Sequence, residues 1–174
     1  MKFNKKIVLY LGICFFINIS ASAHEVGFFL LKDRKITAVK ALSLPLETIE
    51  LDENPFWTIK DIKEYRCTTH EFKLTDEGTA AVPFPESVQG IPFVLKVSGK
   101  AIYIGAFFSF FSSEVFPNPV VDVTLPPKVG KVWKFDRAYP HDGYADGVDP
   151  RMTTEFLDEL RFQGKLTEEC PAKN

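Results

Sequence analysis

The sequence predicts an α+β domain: a mainly antiparallel β-sheet with one C-terminal helix packed on it. The alternative is a small β-barrel or sandwich with the helix appended. Three observations carry this. Short alternating apolar segments recur between turn-forming residues. One of them, Ala101–Phe108, is apolar on both faces, as a central strand covered twice must be. A single capped amphipathic segment follows Asp149. The 17 Phe and 12 Pro among 174 residues suit short strands better than long helices.

Met1–Ala23 stands apart from the fold. Lys2, Lys5 and Lys6 precede an apolar run from Ile7 to Ile19, and Ser20-Ala21-Ser22-Ala23 supplies the small-residue pattern of a cleaved export signal. The run is shorter than the ~20 residues a membrane-spanning helix needs, which disfavours a retained anchor. Lipidation at Cys14 is disfavoured by bulky Ile13 before it. Cleavage would leave one β-rich domain, His24–Asn174, and remove three lysines and no acid, taking the net charge from -2 to -5. The short Lys-rich leader is of a bacterial kind, so the expected destination is the periplasm, or the medium.

Val26–Leu31 and Lys35–Leu42 read as strands joined across Lys32-Asp33-Arg34. Leu44–Asn54, broken by Pro45, reads as extended loop or edge strand. Phe56–Glu64 fits a short helix or a strand equally. Cys67–Thr75 alternates, with His70, Phe72 and Leu74 on one face. Pro92–Val97 and Ala101–Phe108 flank Ser98-Gly99-Lys100 as a hairpin, with Tyr103 and Phe107 on one face and Ile102, Ile104 and Phe108 on the other. Val120–Leu125 and Lys131–Phe135 are further strands around a Pro126-Pro127 and Gly130 turn. Asp149 as N-cap and Pro150 at N1 open the helix, Met152, Phe156, Leu157 and Leu160 form its apolar stripe, and Gly164 ends it. The stripe is expected to cover Ala101–Phe108.

Cys67 and Cys170 are the two cysteines left after cleavage. In an oxidising compartment they are expected to pair and to tie down the polar tail Thr167–Asn174, free thiols being the alternative. Neither lies in a C-x-x-C pattern, so nothing supports thiol-redox catalysis.

Few residues offer chemistry. His24 would become the N-terminal residue and could chelate Cu(II) through its α-amino and ring nitrogens, with His70 or His141 completing a nitrogen set; copper is thus the alternative cofactor to none. The plainer reading of His70 is a neutral, hydrogen-bonded core histidine. His141 lies in an acidic, turn-rich stretch whose Asp142, Asp146 and Asp149 fit no calcium-loop spacing. Ser109, Ser112 and Ser113 could serve a hydrolase with His141 as base, but no G-x-S-x-G elbow surrounds them. Asp158-Glu159 and Glu168-Glu169 are expected on exposed faces, with no apolar setting to raise a carboxyl pKa. No residue is assigned a catalytic role.

The unusual feature is Phe107–Phe116, five Phe in ten residues. Plain core is the first explanation. If Phe110, Phe111 or Phe116 is exposed instead, the segment marks a binding surface, stiffened by Phe116-Pro117-Asn118-Pro119. With 21 basic against 23 acidic residues, a nucleic-acid partner is excluded, and the cleaved chain holds no integral membrane segment. The expected function is a small exported, non-catalytic binding protein of inhibitor, immunity or envelope-interaction type, its partner another protein. The alternatives are the copper-binding protein and an envelope hydrolase.

Overall fold

The computed structural model describes residues 25–84, 88–124 and 132–170. The expected leader and His24 lie outside them. Eight strands form one sheet: β1 (Val26–Leu30), β2 (Trp57–Thr58), β3 (Ile62–Arg66), β4 (Glu71–Leu74), β5 (Ile91–Val97), β6 (Lys100–Phe108), β7 (Val120–Asp122) and β8 (Val132–Asp136). Helices α1 (Ala38–Ala41) and α2 (Asp76–Ala80) are single turns, and α3 (Thr154–Phe162) is longer. No helix among the described residues is long and apolar enough to cross a membrane.

The strand order is β2-β1-β5-β6-β7-β8-β4-β3. Neighbours are antiparallel except β6 and β7, which run parallel. The two outermost strands, β2 and β3, are consecutive in the chain, joined by the 3-10 turn Ile59–Asp61. Asp61 Oδ2 fixes that turn by accepting from Thr58 N at 2.7 Å and Thr58 Oγ1 at 2.9 Å. A sheet whose edges are tied this closely curls into a nearly closed barrel. Sheet with appended helix and barrel with appended helix therefore describe the same molecule.

All eight strands point large side chains inward. Val26, Phe28, Trp57, Ile62, Tyr65, Phe72, Leu74, Phe93, Leu95, Tyr103, Phe107, Val121, Trp133 and Phe135 share one buried cluster with Phe156, Leu157 and Leu160 of α3. A second cluster on the outer face joins Val94, Ile104, Ala106, Phe108 and Val120 to Leu31, Ala38, Ala41, Phe116 and Tyr139. The expectation that β6 is covered on both sides is met. Ile102 alone leaves the expected pattern: the register shifts between Leu95 and Lys96, so it packs with the inner cluster instead.

Several expected elements resolve differently. Lys35–Leu42 is not a strand: Thr37 caps α1 by accepting from Lys40 N, and the small Ala38 and Ala41 bury against the outer cluster. β1 consequently pairs with β2 and β5 rather than in a local hairpin. Phe56–Glu64 contains a strand, a 3-10 turn and the start of another strand. The β5–β6 connection is the two-residue Ser98-Gly99, with φ of 48° and 80°, the left-handed pair that matches the twist of a hairpin. The C-terminal helix is split. Asp149 caps a 3-10 turn, Pro150–Met152, and the extended Thr153 separates it from α3. The turn around Pro126-Pro127 and Gly130 lies outside the described residues.

The apolar stripe of α3 closes one end of the barrel. Phe156 meets Phe28 and Tyr65 edge-on, and Lys100 pairs with Glu155 at 2.9 Å beside the Ser98-Gly99 turn. At the other end lie the segments before β5 and after β6, because Ile91 pairs with Phe107.

The barrel wall leaves no room at Gly105. A methyl there would stand 2.3 Å from Phe93 Cζ and 2.9 Å from the Pro119 carbonyl oxygen. Gly105→Ala is expected to lower unfolding free energy by about 1–3 kcal/mol in a urea titration; an unchanged midpoint would contradict this packing.

Candidate functional site

Beyond Phe108 the alternation of β6 stops, and the turn Ser109–Ser113 presents adjacent residues outward together. Phe110 and Phe111 are 65% and 71% exposed, their ring centroids 4.8 Å apart. The backbone beneath them is held from two sides. Phe110 N donates to Thr124 Oγ1 at 2.5 Å, and Thr124 is itself held by Asp122 Oδ1. Tyr139 Oη donates to the carbonyls of Ser109 and Ser112, at 3.2 and 3.0 Å, while its ring stacks on Phe108. Burial, then the Asp122 charge, raises the Tyr139 pKa, which keeps the hydroxyl a donor. Ser112 N closes the turn onto Ser109 O. The result is an apolar pair on a fixed base.

Phe116 is not part of that surface. It is 0% exposed, packs on Phe108 and exchanges main-chain hydrogen bonds with Tyr139. The structure assigns it to the core, and its pairing is what brings Tyr139 under the turn. Phe84 and Val88, also exposed, precede β5 and so leave the sheet at the same end as Phe110 and Phe111. A groove lined by Leu30, Ile36, Phe84 and Ile91, with Asp33 and Arg34 also in its wall, opens there as well.

A second region gathers polar groups near α3. His70 precedes β4 with a left-handed φ of 55°, so it leaves the alternation that grouped it with Phe72. Its Nδ1 lies 2.8 Å from Tyr65 Oη, and its Nε2 lies 3.7 Å from Asp149 Oδ2. Burial drives the Tyr65 pKa far up and keeps the phenol protonated; the tautomer with its ring proton on Nε2, facing Asp149, is the one in which the phenol donates to Nδ1. Arg151 is buried, bonds Asp149 through Nε and Nη2, and donates Nη1 to the Phe135 carbonyl. Burial pushes the Asp149 carboxyl up, but the hydrogen bonds and charge of Arg151 outweigh it, and the carboxyl is held below its usual range. Tyr103, buried within electrostatic range of Tyr65, Arg151 and Asp149, has no partner for its hydroxyl among the described residues. Asp149 was legible only as a helix cap, and nothing in the local pattern marks Tyr65, Tyr103 or Arg151 as its company.

The other candidates have local duties. His141 Nδ1 accepts from Gly143 N at 3.1 Å, capping the turn Asp142–Tyr144, and its ring rests on Tyr144. Ser112 Oγ accepts from Glu114 N. No group of three or more His, Cys, Asp or Glu among the described residues is arranged to hold a metal ion. Cys67 and Cys170 form the expected disulfide. No family model, curated protein or solved structure matches this chain.

The polar cluster carries a pH signature. Burial first, then the Arg151 charge, lowers the His70 pKa to about 4, against the opposing pull of Asp149. The unfolded chain takes up this proton near 6.5. Stability is therefore full above pH 6.5 and falls by about 2–3 kcal/mol between 6.5 and 4. His70→Asn, which tolerates the left-handed backbone, is expected to flatten that interval in denaturant titrations across pH. An unaltered slope would remove His70 as its source.

Proposed function

We propose that this chain is a small exported, non-catalytic binding protein, of the inhibitor, immunity or envelope-interaction type, that engages another protein through Phe110 and Phe111. The observation that carries this is the exposed pair itself, two large rings on a turn pinned by Tyr139 and Thr124. Exposed aromatics are costly to keep in water, and aromatic side chains, Phe among them, are enriched at the cores of protein interfaces. A fixed base means little ordering remains when a partner closes over them. Export to the periplasm or the medium is supported by the leader pattern of Met1–Ala23 and by the Cys67–Cys170 bond, of a kind that persists in oxidising compartments.

The double variant Phe110→Ser/Phe111→Ser is expected to weaken capture of the partner from the exported fraction by roughly 100-fold or more while leaving the melting temperature unchanged. Phe116→Ser, by contrast, is expected to lose about 3–5 kcal/mol of stability, as deletion of a buried ring does. Undiminished capture by the double variant would overturn the assignment of the surface. Export has its own readout, since the denatured mass of protein from that fraction is expected to begin at His24.

A further inference from the structure

We propose that the Cys67–Cys170 disulfide is a latch, opened by a dithiol at the Cys170 sulfur, and that opening it frees residues 165–170 from the edge of β3. The two cysteines differ in access. Cys67 is buried in the inner cluster, whereas Cys170 is only partly buried and lines a surface groove with Arg161, Leu166, Thr167, Glu168 and Glu169. A thiolate attacking a disulfide must reach one sulfur and expel the other. Here the groove admits it to Cys170, forming a mixed disulfide and expelling Cys67 as a thiolate that takes up a proton. The second thiol of the dithiol then displaces Cys170. Both cysteines end as thiols, and the reagent, having given up two electrons and two protons, ends as a disulfide.

The bond secures a borrowed strand. Tyr65 N donates to the Lys165 carbonyl at 2.8 Å, Thr167 N donates to the Tyr65 carbonyl at 3.2 Å, and Leu166 forms a parallel bridge to Tyr65. Glu168 Oε1 accepts from both Thr68 N and Thr68 Oγ1. These contacts are few and lie at the rim of the sheet. The chain has a natural break just before them. Gly164, at φ 66°, ends α3, and the Lys165 N to Leu160 carbonyl bond caps the helix independently of the tail. Release can therefore begin at the Lys165 carbonyl, with the Lys165 amide still capping α3 in the barrel. It would uncover the main-chain N–H and C=O of Tyr65, an open strand edge of the kind that accepts another strand.

The test uses the oxidised full chain under native conditions. Glutathione, a monothiol, is expected to form its mixed disulfide on Cys170, as mapped by peptide mass. After dithiothreitol, the amides of Tyr65 and Thr167 are expected to exchange hydrogen roughly tenfold faster or more, with β5 and β6 unchanged. Cys170→Ser is expected to show the same pattern without reductant. An adduct on Cys67, resistance to dithiothreitol without denaturant, or unchanged exchange at Tyr65 would each overturn the latch. Loss of protection in β5 and β6 together with Tyr65 would also overturn it, making the bond a staple of the whole fold.

Discussion

The fold depends on the three-residue link between β2 and β3. Thr58 and Asp61 lock it by reciprocal hydrogen bonds, and because these strands are the two ends of the sheet, the link obliges the sheet to bring its edges together. An eight-stranded barrel has an interior just wide enough to be filled by side chains. Phe72 and Phe135 stack at 4.3 Å, Phe28 and Phe135 at 5.9 Å, and Trp57 meets Phe28, Phe72 and Phe107 edge-on. Six of the 17 phenylalanines, Phe28, Phe72, Phe93, Phe107, Phe135 and Phe156, are thus the filling that closure requires. Trp57 adds a second tie, donating its indole N–H to the Gly78 carbonyl of α2 at 2.7 Å.

What could be read from the sequence was what local chemistry dictates. The β5–β6 hairpin follows from alternation and a Ser-Gly turn. The double coverage of β6 follows from apolar residues on both its faces. Asp149-Pro150 marks a helical start because the carboxylate accepts the next free amide, from Arg151, and Pro lacks one to leave unpaired. The break at Thr153 was not legible: the 3-10 turn is held by the pull of Arg151 inward to the Phe135 carbonyl, a contact across 16 residues. The parallel pairing of β6 with β7 is equally non-local. α1 was misread because four residues are too few to show a helical period, and Ile36-Thr37-Ala38-Val39 has a strand's composition.

The same division runs through the site. Phe110, Phe111 and Phe116 are chemically identical and six residues apart at most, yet two face solvent and one is core. The difference is made by Tyr139, which pairs its main chain with Phe116 and lends its hydroxyl to Ser109 and Ser112. No local pattern could assign that role to a tyrosine some thirty residues downstream. For His70 the alternation rule fails for a stated reason: a left-handed residue cannot continue a strand, so the ring turns toward Tyr65 rather than lying beside Phe72.

Tyr65 shows why the two ends of the barrel can do different work. Its main chain holds the tail, its hydroxyl holds His70, and its ring packs on Phe156 of α3. The buried charges and the disulfide are thereby concentrated at the end that α3 closes. Among the described residues the opposite end is free of that duty, and the pinned turn there draws on Tyr139, Thr124 and Asp122 instead. The apolar pair mounted there rests on a turn whose Phe110 amide and Ser109 and Ser112 carbonyls are already hydrogen-bonded within the chain, so a partner closing over the rings need not break those bonds. That is the physical condition for a surface that favours association without weakening the fold beneath it.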